Sequence, residues 1–577
     1  MYVTLKNDLP QTTLTHAIER PSGIQINQIP NQNNNKSGPQ FEEWQSNLSK
    51  LIFDFCLGRL LPFNFIISAS PAAGKSAPIT KGWEVACGQF SDIASIPRIL
   101  WVCPNKTLTF EKYNDFRKSI IDSILNFFNN AKSNTTPTLK SSLVFDENII
   151  YNFFPNLRHL QMNSPQILQY MNIQTISTVV DQLVGYEMMQ NKIDVTKNTI
   201  AYSCTYIYAP KILEKFKPKL IVIDELQERF SSQPNESLLD EKVESLLDTI
   251  ISAPTNCSII LLTGSMNKQS IVFLSEYLTQ FAKRKFDAYE IPALNRAYIN
   301  FAPLYINKLD DIVNLAREQI YNKTVGNLIA IFSTNKIIDI ATMLNSKLPK
   351  YSPKIITEVS ENYIKTQKDL KVNLDKIKNK YSTPEWQYYH LNKMIDSDSS
   401  FTKLLAECIQ HRFGFIFAPK NPDGSKADFD VNDIILVQEL FKQHKIFTVF
   451  VTTMVGVGVN LQVYNLYIPT INIAPGLTLS QSDITQLIHR AGRTSTSFAT
   501  IFCNPKDINF ILNALNDTPG NFIAPNLDIM NNKLKANSLT LLININKNVK
   551  LKDIKNLNLI DIKNFTKDVI VSLFTNK

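Results

Sequence analysis

Residues 66–80, IISASPAAGKSAPIT, run an apolar segment into small residues and then into Gly74, Lys75 and Ser76. That order could hold a phosphate. A loop free of bulky Cβ groups lets successive N–H groups turn inward, a lysine reach the outer oxygens and a hydroxyl ligate Mg²⁺. Here Phe65-Ile66-Ile67 would be the strand, Ala69 to Ala73 the loop, and Gly74-Lys75-Ser76 the end that meets the phosphate. Ala69 stands where the full pattern has glycine. Taken alone, the stretch also reads as an ordinary strand-to-helix turn, so it needs partners further along the chain.

The partner is KLIVIDELQERF. A strand at Leu220 to Ile223 would deliver Asp224 and Glu225 to its C-terminal end, where open α/β sheets present ligands. Asp224 would hold Mg²⁺ through water, and Glu225 would orient and deprotonate an attacking water. The plain alternative is an acidic helix start, with aspartate as the cap; the loop upstream on its own strand favours the catalytic reading. Thr263-Gly264-Ser265 follows another apolar strand and suits a relay of nucleotide state, although such triplets are common loop material. In SDITQLIHRAGRTS, Gln486, His489, Arg490 and Arg493 recur at helical spacing, and Gly492 permits close backbone approach. Two arginines in an arginine-poor chain could neutralise transition-state charge from a second domain. A basic helix end answering its own dipole would explain the arginines but not the glutamine, histidine and glycine around them.

The elements that must position these groups are also legible. RILWVCP, NTIAYSC, KLIVIDE and CSIILLTGS are strand-length apolar runs separated by helical stretches, and FEEWQSNLSKLIFDF fits an amphipathic helix before the first loop. NLIAIFST, FGFIFAP, FTVFVTT and ATIFCNP form a second set after about residue 300. Continuous apolar strands alternating with helices imply parallel sheets covered on both faces, so the expected class is α/β with two tandem units and a cleft between them. Residues 1–40 read as a polar, flexible tether, and 521–577 as a small, mainly helical extension. The regions 117–197 and 351–410 carry no readable motif and are taken as surface decoration. NIAPGLTL, residues 472–479, reads either as a hairpin or as a plain loop.

Composition narrows the class. At 577 residues the chain needs two to four domains, and 10% aromatic content argues against wholesale disorder. Seven cysteines without a CxxC pair, and histidines that do not join them, exclude a recognisable zinc module and suit a reducing, cytoplasmic setting. No signal-peptide pattern opens the chain, and the apolar stretch from Leu51 to Ile67 is interrupted by Asp54, Arg59 and Asn64, which argues against a membrane span. The net charge of +9 favours a polyanionic partner over mere solvated surface. Abundant lysine and asparagine fit an AT-rich genome, and a viral or plasmid origin would suit that bias.

Together these motifs resemble those of superfamily 2 helicases, nearest the DExH type, over about residues 41–505. ASPAAGKS is similar to that group's motif I, CPNKTL to motif Ia, DELQ to motif II and TGS to motif III. IFSTN is similar to motif IV, TTMVGVGVNL to motif V and QLIHRAGR to motif VI, the last two nearest a superkiller-type or viral branch. Gln227 departs from the family's histidine, and Ala72-Ala73 from a glycine-rich pair.

The resemblance implies tandem RecA-like domains at 41–298 and 299–520, with ATP and Mg²⁺ between them and a nucleic-acid strand, RNA or DNA, across their top. ATP would be held by Ala72, Ala73, Gly74, Lys75, Ser76 and Asp224, with Ser76 and Asp224 on the metal. Glu225, Gln486, Arg490 and Arg493 would carry the chemistry. Gln45 is the candidate adenine reader and Phe41 a stacking residue beside it. Pro104, Asn105, Lys106, Ser333, Thr334, Thr453 and Gly458 would touch the strand. The implied activity is ATP-dependent unwinding. A duplex-DNA translocase that leaves strands paired, or a nucleic-acid-binding scaffold with vestigial ATPase, are the rivals. Protein partners would use the inserted regions and the C-terminal extension.

Overall fold

Residues of alternating parity along each central strand of the first lobe enter two different cores, which is why those strands read as unbroken apolar runs. Ile67, Trp101, Val222 and Ile260 pack on one face, and Ile66, Leu100, Ile221 and Ile259 on the other. The computed structural model describes residues 2–4, 43–69, 73–90, 92–132, 179–187, 195–226, 241–264, 266, 268–291, 298–306, 308–349, 379–417, 430–452, 461, 463–474, 477–479, 484, 487–488, 491 and 498–515.

The first lobe contains strands β1 (Tyr2–Thr4), β2 (Asn64–Ala69), β3 (Ile99–Cys103), β4 (Val184–Tyr186), β5 (Ala201–Thr205), β6 (Leu220–Ile223), β7 (Ser258–Thr263) and β8 (Asp287–Ile291). They form one parallel sheet in the order β1-β8-β2-β7-β6-β3-β5-β4. Helices α1 (Glu43–Cys56), α2 (Ser76–Cys87) and α3 (Lys106–Lys132) bury Ile52, Trp83 and Phe116 against one face. Helices α4 (Ala209–Phe216), α5 (Glu241–Ser252) and α6 (Lys268–Ala282) bury Ile212, Leu246 and Leu274 against the other. Tyr2–Thr4, inside the stretch expected to be a tether, pairs with Ala288–Glu290 at the sheet edge.

The second lobe carries β9 (Tyr298–Pro303), α7 (Leu309–Tyr321), β10 (Asn327–Ala330), α8 (Thr334–Lys347), α9 (Pro384–Ile395), α10 (Ser400–Gln410), β11 (Phe413–Ile416), α11 (Val431–Lys442) and β12 (Thr448–Val451). It continues with β13 (Asn465–Ile468), β14 (Asn472–Ala474), β15 (Leu477–Thr478), β16 (Phe498–Cys503) and α12 (Ile508–Leu515). Its sheet is also wholly parallel, in the order β11-β12-β10-β13-β16-β9. β14 and β15 form a separate antiparallel pair, the pairing that the hairpin reading of 472–479 requires.

The two inserted regions hold more than decoration. Val180 and Leu183 belong to the first core, and Leu391, Met394, Leu405 and Ile409 to the second. Polar helices with a single apolar stripe hid this in the sequence, because the stripe has meaning only once a facing sheet exists. The expected helical extension at 521–577 lies outside the described residues. Among the described residues, no helix is long and apolar enough to cross a membrane. All seven cysteines are buried free thiols.

Candidate nucleotide site

Parallel register brings three strand ends to one edge. Ser68 of β2 pairs with Thr263 of β7, and Ile223 of β6 pairs with Leu261. Ala69, Thr263 and Asp224 therefore finish side by side, with β7 between the loop strand and the acidic strand. The Ser68 hydroxyl donates to the Met266 carbonyl at 2.8 Å, which ties the segment after β7 back to the loop strand.

At the loop, Gly74 has φ +69°, a conformation that glycine adopts without the Cβ penalty. Lys75 is 6% exposed, and its Nζ donates to the Ala69 carbonyl at 3.4 Å. Ser76 opens α2, whose first turn has no side-chain cap. Amides at such a helix start, together with the helix dipole, favour an anion. Gln45 of α1 is brought to the loop itself: its Nε2 donates to the carbonyls of Ala73 at 3.0 Å and Gly74 at 3.4 Å. The side chain expected to read adenine thus braces the segment that leads into α2 in this structure. Phe41 and Ala72 lie outside the described residues.

Across β7, Asp224 is 5% exposed and held from several sides. Trp101 Nε1 donates to its Oδ2 at 3.3 Å, and the Glu225 N–H donates to its Oδ1 at 3.0 Å. Burial, then the neighbouring Glu225 charge, push the Asp224 carboxyl above its ordinary range, while Lys112 and Lys75 pull it back. Glu225 sits at φ +52°, a strained region for a side chain of its kind. The Tyr206 hydroxyl pins that turn, donating to the Asp224 carbonyl at 2.6 Å and lying 3.2 Å from that of Glu225. Neither Trp101 nor Tyr206 carried a sequence signal, since both reach the turn from other strands.

The donor set fits a nucleotide phosphate with a divalent cation. A buried ammonium, an open helix start and a buried carboxylate share one sheet edge. Between them the Thr263 hydroxyl is fully buried and has no hydrogen-bond partner among the described residues. A buried hydroxyl without a partner costs free energy that a ligand oxygen or its water can recover.

Elsewhere the expected residues are placed as follows. Pro104 is buried, Lys106 is exposed, and Asn105 caps α3, its Oδ1 accepting from the Leu108 N–H at 3.0 Å. Ser333 caps α8 by accepting from the Lys336 N–H at 3.4 Å, and Thr334 follows it, half-buried. Thr453, Gly458, Gln486, His489, Arg490 and Arg493 lie outside the described residues. Their neighbours Leu461, Leu487, Ile488 and Ala491 are buried in the second core.

Sheets, layers and site edge define an α/β protein of two tandem RecA-like parallel-sheet domains. The crystal structure of the Escherichia coli DEAH/RHA helicase HrpB is similar at 13% identity and a TM-score of 0.37, over 80% of this chain and 43% of that one. This chain therefore spans less than half of that protein's length. No known family model and no curated relative matches the sequence.

Proposed function

We propose that this protein is an ATP-dependent nucleic-acid helicase of the DExH kind, coupling ATP hydrolysis to movement along RNA or DNA and to strand separation. The observation that carries the reading is the shared edge of β2, β7 and β6. There Lys75 and Asp224 are buried on either side of Thr263, and Glu225 follows in a strained turn. Lys75 and the opening amides of α2 hold the β- and γ-phosphates. Asp224 and Ser76 would hold Mg²⁺, which would supply positive charge against that of the phosphates. Glu225 orients the attacking water and takes its proton. Arg490 and Arg493 offset the charge that develops on the transferred group, and Gln486 acts with them in the same step. Hydrolysis in the cleft changes how the lobes meet, and so changes their grip on the strand.

The net charge of +9 supports a polyanionic substrate, and phosphate contacts from Lys106, Ser333, Thr334, Thr453 and Gly458 would be sequence-tolerant and salt-sensitive. The antiparallel pair β14–β15 supports strand separation over a translocase that leaves duplex DNA paired, because a hairpin can act as a wedge. The test is ATP turnover measured in parallel with single-stranded RNA, single-stranded DNA and duplex DNA. Stimulation by a single strand, weakening steeply with salt, is expected. Indifference to every polynucleotide at low salt would remove the helicase reading.

A further inference from the structure

Helix α3 stands between the two lobes and touches both. At 3.6 residues per turn, Phe110, Asn114 and Lys118 fall on one side, with Lys112 and Phe116 on the other. On the first side, the Phe110 ring meets Tyr381 of the second lobe edge-on, with centroids 5.0 Å apart. Tyr381 in turn meets Trp386 at 4.8 Å, and Tyr186 backs Phe110 at 5.6 Å. Ile435 of α11, a second-lobe residue, is 5% exposed and sits within the first lobe's core. The contact is an aromatic and aliphatic seam, flanked by a polar pocket that Glu111, Asn114, Lys118, Glu439 and Lys442 line.

The opposite side of the helix leads to the acidic turn. Lys112 Nζ lies over the Trp101 ring, 4.6 Å from its centroid, and Trp101 is the residue whose indole N–H donates to Asp224. A cation on that ring face adds attraction that burial strengthens. Burial alone would lower the Lys112 pKa, but the Asp115 and Asp224 carboxylates raise it on balance, so the ammonium stays charged. Phe116 also meets Trp101, with centroids 6.3 Å apart. A line of contacts thus runs from Tyr381 through α3, Lys112, Trp101 and Asp224 to the Glu225 amide.

We propose that Lys112 is a positioning residue, holding Asp224 through Trp101, and that α3 transmits second-lobe docking at the Phe110–Tyr381 seam to that carboxylate. Packed seams shift between discrete arrangements and do not deform continuously, so a change at Tyr381 moves α3 as a body. The proposal deepens the nucleotide reading and depends on Asp224 being the carboxylate that serves it.

Hydrogen exchange at the Glu225 amide reads this directly, because that N–H is bonded to Asp224 Oδ1. The full nucleotide-free chain is used. Lys112→Met, which keeps length and removes charge, should speed exchange there about threefold to tenfold, and Lys112→Arg should restore most of the protection. Tyr381→Ala, from the other lobe, should speed the same amide about threefold, with β10 amides unchanged. Ile435→Ala probes the seam by a second route and should act like Tyr381→Ala. The double variant Lys112→Met/Tyr381→Ala should exchange no faster than the faster single one.

An unchanged Glu225 amide in Lys112→Met overturns the positioning role. An unchanged amide in folded Tyr381→Ala and Ile435→Ala, or effects that multiply in the double variant, overturn the transmission. None of these readouts uses ATP, so a wild-type chain without turnover would fail the nucleotide reading separately.

Discussion

Gly82→Ala should loosen the first lobe and the phosphate loop together. Gly82 lies in α2 where it crosses α1, and a Cβ placed there would come 2.3 Å from the Ser49 carbonyl oxygen. It would also lie 2.9 Å from Ile52 Cβ and 3.0 Å from the Ser49 carbonyl carbon. Two of those three atoms are backbone, so no rotamer change relieves the clash, and the helices must part by about 1 Å to reach ordinary contact. Ser49 and Ile52 are 2% and 0% exposed, so nothing nearby yields into solvent.

Overpacking of this kind costs about 1–3 kcal/mol, while alanine returns about 1 kcal/mol of helix propensity over glycine. Backbone atoms as the obstacle put the cost at the upper end, for a net loss of about 1–2 kcal/mol. For a lobe of this size that lowers the melting temperature by about 2–8 °C. Because α1 carries Gln45 to the Ala73 and Gly74 carbonyls, parting the helices should also raise the KM for ATP. Thermal melting and ATP titration of the variant check both effects. A variant melting at or above wild type would refute the close crossing and the brace built on it.

Lys75→Ala should abolish turnover in a folded chain by removing the cation at the outer phosphates; unchanged turnover, with folding confirmed by circular dichroism, would refute the loop assignment. Tyr206→Phe removes the hydroxyl that pins the strained Glu225 turn, so stability should fall by about 1–2 kcal/mol, with turnover falling too, as denaturant melts and kinetics would show. Acid should weaken the second lobe around α11. Burial would raise the Asp430 and Glu439 pKa values, but the Asn432 and Lys393 groups at Asp430, and Lys442 and Ser382 at Glu439, hold them below the ordinary 3.8 and 4.5. Their contribution is therefore full above those ordinary values and is lost as pH falls through the lower folded ones. Melting temperature followed from pH 7 downward should drop in that window, and Glu439→Gln should flatten part of the drop.

Strands covered on both faces are legible because both alternating sets of positions are apolar, as throughout β3 and β6 and in the Ile259–Leu262 interior of β7. β8 and β13, DAYEI and NLYI, are less legible, since Glu290 interrupts the first, the second has only three apolar positions, and pairing with neighbours defines both. Lys75, Asp224 and Glu225 could be named because their chemistry sits at fixed local spacing. Trp101 and Tyr206 could not, since the first meets Asp224 across 123 positions and the second across 18. Gln45 is visible in the sequence only by its type, and which way its amide reaches is decided by the crossing of α1 and α2.

In the proposed mechanism, ATP closes the lobes on a strand and hydrolysis at Glu225 reopens them. Strand affinity of Glu225→Gln, measured with and without ATP beside Arg493→Ala, tests it most directly. The amide keeps the shape of the carboxylate but cannot take the proton, so turnover should fall by a factor on the order of 10² or more. Asp224 and Lys75 still hold the nucleotide, so ATP should keep or raise the affinity of Glu225→Gln for the strand. Arg493→Ala should lose both turnover and the ATP-dependent grip. Normal hydrolysis by Glu225→Gln, or equal loss of grip in both variants, would contradict the two-lobe mechanism.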